Sequence, residues 1–541
     1  MLVYGDHRER ADPSERLRLI SERLQLVADL PPGIDRHAQL VSALIEAGQL
    51  LQGIADEGLP ANDPSDFVHE LARSVVRSWD SRFADVGELP PVPRHTSPKS
   101  VELRLPEGFA FYAVYPEAYV KAARRLKLVG RPRVIGIRSI GTTLGAVVAA
   151  ALGAAPALTV RPFGDPFARQ VELPPEALER DAHYVIVDEG PGLSGSSFGA
   201  VADWLAARGV ALERIAFLPS HLGDLGPHAS DAHRLRWKAA QRIAAEFDAS
   251  FLQQRFGALQ ELTSGGAWRR KKFLATQGGT RVLLKFAGLG AVGERKLEMA
   301  RALHAAGFSP EPFALVRGFL AEHWCEDAQP LGPDDKPVDE IGRYIGARAR
   351  LFPASPDSGA SIDELLTMCR RNIGLAVGDE FASKVDRFDA EALPRRVTRV
   401  RTDNKMQPEE WLRLNDGRLL KTDALDHHRA HDLIGCQGLE WDVAGAIEEF
   451  ALGPGEASRL IDAVGTNVDP DLLAFYRAAY AAFRLGYSEL AGDRPARDRY
   501  TASVRLLLHQ NSCAAANRGE SPFDCAPERT GTGTNPLLLG S

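Results

Sequence analysis

The apolar run Tyr184-Val185-Ile186-Val187 ends in two acids, Asp188 and Glu189, and leads straight into Gly190-Pro191-Gly192-Leu193-Ser194-Gly195-Ser196-Ser197. The acids can accept hydrogen bonds from the vicinal hydroxyls of a sugar, the glycines let backbone approach a ligand, and the serine hydroxyls add donors. A helix is expected next, because Phe198, Val201, Ala202 and Leu205 share one helical face and Gly209 stands where a C-terminal cap belongs. Strand, small-residue loop and helix start together make a phosphate cradle, with N–H groups and the positive helix end turned to the anion. A related turn, Ile137-Arg138-Ser139-Ile140-Gly141-Thr142-Thr143, follows the apolar run 133–137. The same turns also serve a doubly wound sheet that binds nothing, its acids simply solvated.

A second group of residues lies downstream. Gly278-Gly279-Thr280-Arg281-Val282-Leu283-Leu284-Lys285-Phe286 puts a lysine at the end of an apolar strand, and a helix carrying Glu294 and Glu298 follows. Beyond it come Phe319-Leu320-Ala321-Glu322-His323-Trp324, Arg401-Thr402-Asp403-Asn404-Lys405, a hairpin turn at Asn415-Asp416-Gly417, Leu419-Leu420-Lys421-Thr422-Asp423 and Glu440-Trp441-Asp442. His427, His428 and His431 beside Asp432 have the spacing of a transition-metal face on a helix, or of a structural cluster.

The first group resembles the type I phosphoribosyltransferases, whose signature is an apolar strand, two acids and a small-residue phosphate loop. The resemblance implies that Asp188 and Glu189 are catalytic and grip the ribose of phosphoribosyl pyrophosphate. It implies that Gly192, Ser194, Gly195, Ser196 and Ser197 hold the 5-phosphate, and that Arg138, Ser139 and Gly141 form the pyrophosphate loop. Arg161 and Arg169 fall in the region of that family's mobile loop. Serines replace the usual threonines, and Pro191 is atypical.

The second group resembles the aminoglycoside phosphotransferase branch of the kinase-like proteins over most of residues 255 to 495. That resemblance implies ATP and Mg2+, with Lys285 on the nucleotide phosphates, Glu298 or else Glu294 as its helix partner, and Glu322 in the nucleotide-binding hinge. It makes Asp403 the catalytic base, Asp423 the magnesium ligand and Asp442 a structural aspartate. Arg401 stands where the family usually has histidine, and the family's metal-binding asparagine is missing; Gln407, Glu409 and Glu410 are the alternatives for its oxygen.

These groups must be positioned by several domains, since 541 residues exceed what one core holds. Periodic leucines predict helices over residues 14 to 80, and the proline-rich stretch 88–94 a linker. Short β-branched runs at 109–114, 133–137, 157–160, 184–187 and 215–218 alternate with alanine-rich runs and predict a parallel sheet. The expected fold is multidomain α/β and α+β: a helical N-terminal region (1–95), a phosphoribosyltransferase-like domain (96–245), a two-lobed kinase-like domain (252–498) and a poorly ordered tail (499–541).

Net charge is only −7, which argues against nucleic acid as a partner. No stretch reaches the roughly 18 apolar residues of a membrane span. Five cysteines, odd in number and without a C-x-x-C pair, suggest neither disulfides nor zinc and fit the cytoplasm. The expected partners are small-molecule substrates, with a homodimer left open. The expected function is bifunctional: transfer of ribose 5-phosphate to a small acceptor, and ATP-dependent phosphorylation of a related molecule. The alternative is a nucleotide sensor whose two halves bind without turnover.

Overall fold

The computed structural model describes residues 1–5, 8–93, 99–179, 181–192, 194–226, 228–262, 270–332 and 334–509. The chain forms two compact units, Asp6–Asp327 and Ala328–Ser541, the second also taking in Met1–Gly5. The division falls inside the expected 252–498 domain.

The Asp6–Asp327 unit begins with helices Pro13–Asp29, Ile34–Asp56 and Asn62–Asp80. Asp12 caps the first by accepting from Ser14 N at 2.8 Å, and Pro13 costs no hydrogen bond at the start of a helix. Leu17, Ile20, Leu24 and Val27 form its buried stripe. Pro64 lies within the first turn of Asn62–Asp80, where its missing N–H would have no partner anyway.

A five-stranded parallel sheet follows, ordered Leu158–Val160, Arg131–Ile137, Ala182–Val187, Ile215–Leu218, Gln241–Arg242. Helices Ile140–Ala151 and Ser196–Ala206 follow the two central strands. Val134, Val185 and Val187 share one core with Leu144, Val147 and Val148. Ile135, Ile137, Tyr184 and Ile186 pack on the other side with Phe198, Val201 and Trp237. Burial on both faces explains why these strands read as unbroken apolar runs. The run 109–114, expected to be a strand, instead forms the short helix Glu107–Ala110 and an irregular segment. Tertiary bonds hold it there, among them Leu289 N to the Phe109 carbonyl at 2.9 Å.

The same unit carries an antiparallel sheet ordered Leu259–Glu261, Lys272–Gln277, Thr280–Phe286, Phe319–His323, Pro312–Val316, with helix Gly290–Ala305. Gly278 and Gly279, at φ 59° and 85°, make its hairpin turn. The glycine turn expected at 264–268 lies outside the described residues.

The Ala328–Ser541 unit is mainly helical: Val338–Leu351, Ile362–Ala376, Leu439–Glu449, Pro454–Val464, Pro470–Ala491 and Arg494–His509 are its longer helices. A small sheet, Gln329–Pro330, Trp411–Arg413 and Leu419–Lys421, contains the expected hairpin at 415–417. Leu2 N donates to Asn372 Oδ1 at 2.6 Å, tying the N-terminal residues into this unit. The tail expected from residue 499 is helical as far as His509, where Tyr500, Val504 and Leu508 are buried; 510–541 lie outside the described residues. Among the described residues no helix is long and apolar enough to cross a membrane.

Candidate functional site

The order of the parallel sheet reverses between Arg131–Ile137 and Ala182–Val187, whose following strands lie on opposite sides. Such a reversal leaves a crevice at the carboxyl ends of the two strands, because the connections leave in opposite directions. A cavity of about 260 Å3 occupies that place, lined by Arg138, Ser139, Arg161, Arg169, Asp188, Glu189 and Ser197. The two turns singled out in the sequence are therefore brought together.

Asp188 and Glu189 are half-buried there. Asp188 Oδ1 accepts from Glu189 N at 2.8 Å, and Tyr119 donates its hydroxyl to the Asp188 carbonyl at 2.8 Å. Burial pushes the Asp188 carboxyl up to about 7. Burial, with repulsion from Glu107 and Asp188, holds Glu189 well above the usual carboxylate range. Gly108 lies so close that a Cβ on it would fall 2.8 Å from Glu189 Oε2, and its N–H donates to that carboxylate. Two acids stacked on a strand end resist carrying two charges until a cation or sugar hydroxyls arrive.

Two arginines that line the same cavity are anchored by Asp56, the last residue of its helix. Arg138 Nη1 is 3.1 Å from Asp56 Oδ1, and Arg161 pairs with Asp56 Oδ2. Arg161 Nη1 also donates to the Arg138 carbonyl at 2.8 Å. Arg138 Nε is buried without a hydrogen-bond partner among the described residues, a donor suited to an anion. The Arg138–Ser139 peptide is cis.

The residues expected to hold the 5-phosphate divide. Gly192 and Gly195 take left-handed φ of 60° and 65°, and Gly195 caps helix Ser196–Ala206. Ser197 lines the cavity. Ser194 and Ser196 instead donate their hydroxyls to the Pro166 carbonyl, at 3.3 and 2.7 Å. Pro166 lies at the tip of the hairpin formed by Phe163–Asp165 and Ala168–Gln170, so that hairpin is closed upon the loop. Gly141 faces no ligand space: a Cβ there would stand 2.7 Å from the Val187 carbonyl, so close helix-to-strand packing requires the glycine.

In the antiparallel sheet Lys285 Nζ lies 2.7 Å from Glu322 Oε2, and Glu322 is buried. The expected helix partners stand elsewhere. Glu298 is exposed, and Glu294 takes two 2.9 Å hydrogen bonds from Arg23. The N-terminal helix holds Glu294 through Arg23, a long-range contact that spacing could not show.

In the Ala328–Ser541 unit, Asp442 accepts from the backbone N–H of Asp403 and Asn404 at 2.8 and 2.9 Å, the structural use expected of it. Asp403 is fully buried. Its carboxylate accepts from the Tyr344 hydroxyl and the Lys405 N–H, and lies 3.5 Å from the buried Lys421 ammonium and 3.4 Å from His427 Nδ1. Burial opposes ionisation, but Lys421, His427 and Arg348 outweigh it and hold Asp403 below the usual range. A base needs access to the proton it takes, and this carboxylate has none in the structure. Lys405, two residues on in the same motif, is half-buried; the sequence alone assigned it no role.

Asp423, Asp426 and His427 offer ligand atoms within 4.8 Å of one another. Two carboxylates and an imidazole can hold a divalent cation, and the carboxylates suit magnesium. Asp426 was not foreseen. Of the three histidines considered for a metal, only His427 joins this group; His428 is buried, and burial keeps it neutral.

No known sequence family and no curated protein matches the chain. Solved structures do. A choline kinase, LicA from Streptococcus pneumoniae, is similar at 16% identity and TM-score 0.35, over 48% of this chain and 96% of that one. An aminoglycoside 2'-phosphotransferase-IIIa in its GDP complex is similar at 12% identity and TM-score 0.33, over 49% of this chain and 98% of that one. A choline kinase from Cryptosporidium parvum is similar at 12% identity and TM-score 0.33, over 46% and 88%.

Proposed function

We propose that the parallel-sheet domain is a phosphoribosyltransferase that binds magnesium phosphoribosyl pyrophosphate and passes ribose 5-phosphate to a small acceptor. The observation that carries this reading is the polar cavity at the strand-order reversal, lined by Asp188 and Glu189 together with Arg138, Arg161 and Arg169. Acids suit ribose hydroxyls and the donor's magnesium, and arginines suit its pyrophosphate. The bond from the anomeric carbon to pyrophosphate breaks, pyrophosphate leaves with the electron pair, and a lone pair of the acceptor forms the new bond. Positive charge develops on the sugar in between, and the two carboxylates favour it. Incubation with the donor, Mg2+ and a panel of amine and heterocycle acceptors should release pyrophosphate. Absence of release with every acceptor, in protein that binds the donor, would favour a sensor over an enzyme.

A second reading rests on different residues. The Lys285–Glu322 pair, and separately the Asp423, Asp426 and His427 group, suit ATP phosphates and magnesium, and hence phosphorylation of a small molecule. The enclosure of Asp403 favours nucleotide binding without turnover, or a base other than Asp403. ADP release measured with and without the phosphoribosyl product separates these outcomes.

A further inference from the structure

Asp56 does not line the cleft of Asp188 and Glu189, yet two arginines that do are held on it. Arg161 meets its carboxylate with two nitrogens, Nε lying 3.1 Å from Oδ1 and Nη2 pairing with Oδ2. The remaining side of the same guanidinium reaches the 138–139 turn, through the Arg138 carbonyl at 2.8 Å and Ser139 Oγ at 3.3 Å from Nη2. Arg138 Nη1 stands 3.1 Å from Asp56 Oδ1. One carboxylate thus ties both side chains and, through Arg161, the backbone of the turn.

The end of helix Ile34–Asp56 is built to deliver that carboxylate. Gln52 and Asp56 are one turn apart and share a helix face. Gln52 is buried; its Nε2 donates to Asp56 Oδ2 and its Oε1 accepts from Arg104 N at 2.9 Å. A Cβ on Gly53 would fall 3.0 Å from the Glu102 carbonyl and 2.8 Å from Leu103 Cδ2, so a glycine lets the helix lie close against strand Val101–Arg104.

Arginine side chains are costly to order, and a site that fixes them in advance avoids that cost when a ligand binds. Burial works against the Arg138 charge, Asp56 supports it and Arg161 opposes it. The two guanidiniums keep their places because they share the carboxylate. We propose, on the reading of this cleft as a donor site, that Asp56 is a positioning residue which braces Arg138 and Arg161 for the pyrophosphate group. A helix outside the parallel sheet then decides how well the cleft tells the donor from ribose 5-phosphate.

The test is calorimetric titration of the full chain with phosphoribosyl pyrophosphate and Mg2+, and separately with ribose 5-phosphate. Loss of the Asp56 charge by itself favours both anions, whereas loss of the brace weakens only the pyrophosphate contacts, so the ratio of the two affinities isolates positioning. Asp56→Asn should cut the preference for the donor at least about tenfold. Asp56→Glu keeps the charge that both arginines need for folding but shifts the carboxylate by one methylene, and should cut the preference at least about threefold. It decides alone where Asp56→Asn fails to fold. An unchanged preference in a folded variant, or equal weakening of both ligands, would overturn the proposal and leave the cleft as a donor site. No binding of the donor to the native chain would overturn that reading and the proposal together.

Discussion

Ser196 donates its hydroxyl to the Pro166 carbonyl at 2.7 Å, so the loop meant to meet a phosphate already holds the tip of the 163–170 hairpin. A donor phosphate that uses this hydroxyl must displace the carbonyl. Phosphoribosyl pyrophosphate with Mg2+ should therefore speed tryptic cleavage after Arg169. Protection of Arg169 by the donor would show that the hairpin stays closed over the ligand.

Asp188 ties stability to pH. Its carboxyl titrates at about 7 in the folded chain, against about 4 in an unfolded one. The folded state therefore keeps a proton that the unfolded state has lost between about pH 4 and 7, and stability falls as pH rises through that window. Asp188→Asn should raise the unfolding free energy at pH 8 by about 2 kcal/mol after allowance for partial solvent access, and with it the thermal midpoint, with no gain at pH 4. An unchanged midpoint at pH 8 would contradict the raised value.

Glu117 has the opposite sign. Burial works against its charge, but Arg317 and His37 prevail and hold it down to about 2. The stability it contributes is present above about pH 4.3 and is lost as pH falls towards 2. Glu117→Ala leaves Arg317 and His37 without their shared acceptor and should cost about 3 to 5 kcal/mol in chemical unfolding. A cost under about 1 kcal/mol would show that the cluster is solvated.

Asp403 and Asp423 should separate cleanly. Asp403→Asn leaves buried Lys421 with Glu410, 3.8 Å away, as its remaining carboxylate and should lower the thermal midpoint, whatever it does to ADP release. Asp423→Asn, at a half-buried position, should leave the midpoint within about 1 kcal/mol of unchanged and abolish the Mg2+-dependent shift caused by ATP. The reverse pattern would restore Asp403 as the reactive group.

The central strands were legible because their two-sided burial demands unbroken apolar runs, and the acids at 188 and 189 because a buried strand rarely ends that way. The run 109–114 misled: a short apolar stretch serves a buried turn as well as a strand. The partner of Lys285 was hidden because Arg23 draws Glu294 away from more than 250 residues off in sequence. Asp56, which braces both cleft arginines, carries no local signal at the end of an ordinary helix. The burial of Asp403 was equally unreadable, since Tyr344 and Lys421 enclose it from distant segments.

The central claim is that the Asp188–Glu189 cleft grips a ribose 5-phosphate donor. Calorimetric titration of phosphoribosyl pyrophosphate with Mg2+ tests it most directly. Single-site binding, weakened at least about a hundredfold by combined Asp188→Asn and Glu189→Gln, is the predicted result. Absence of binding to the native chain, or equal binding to the double variant, would contradict it.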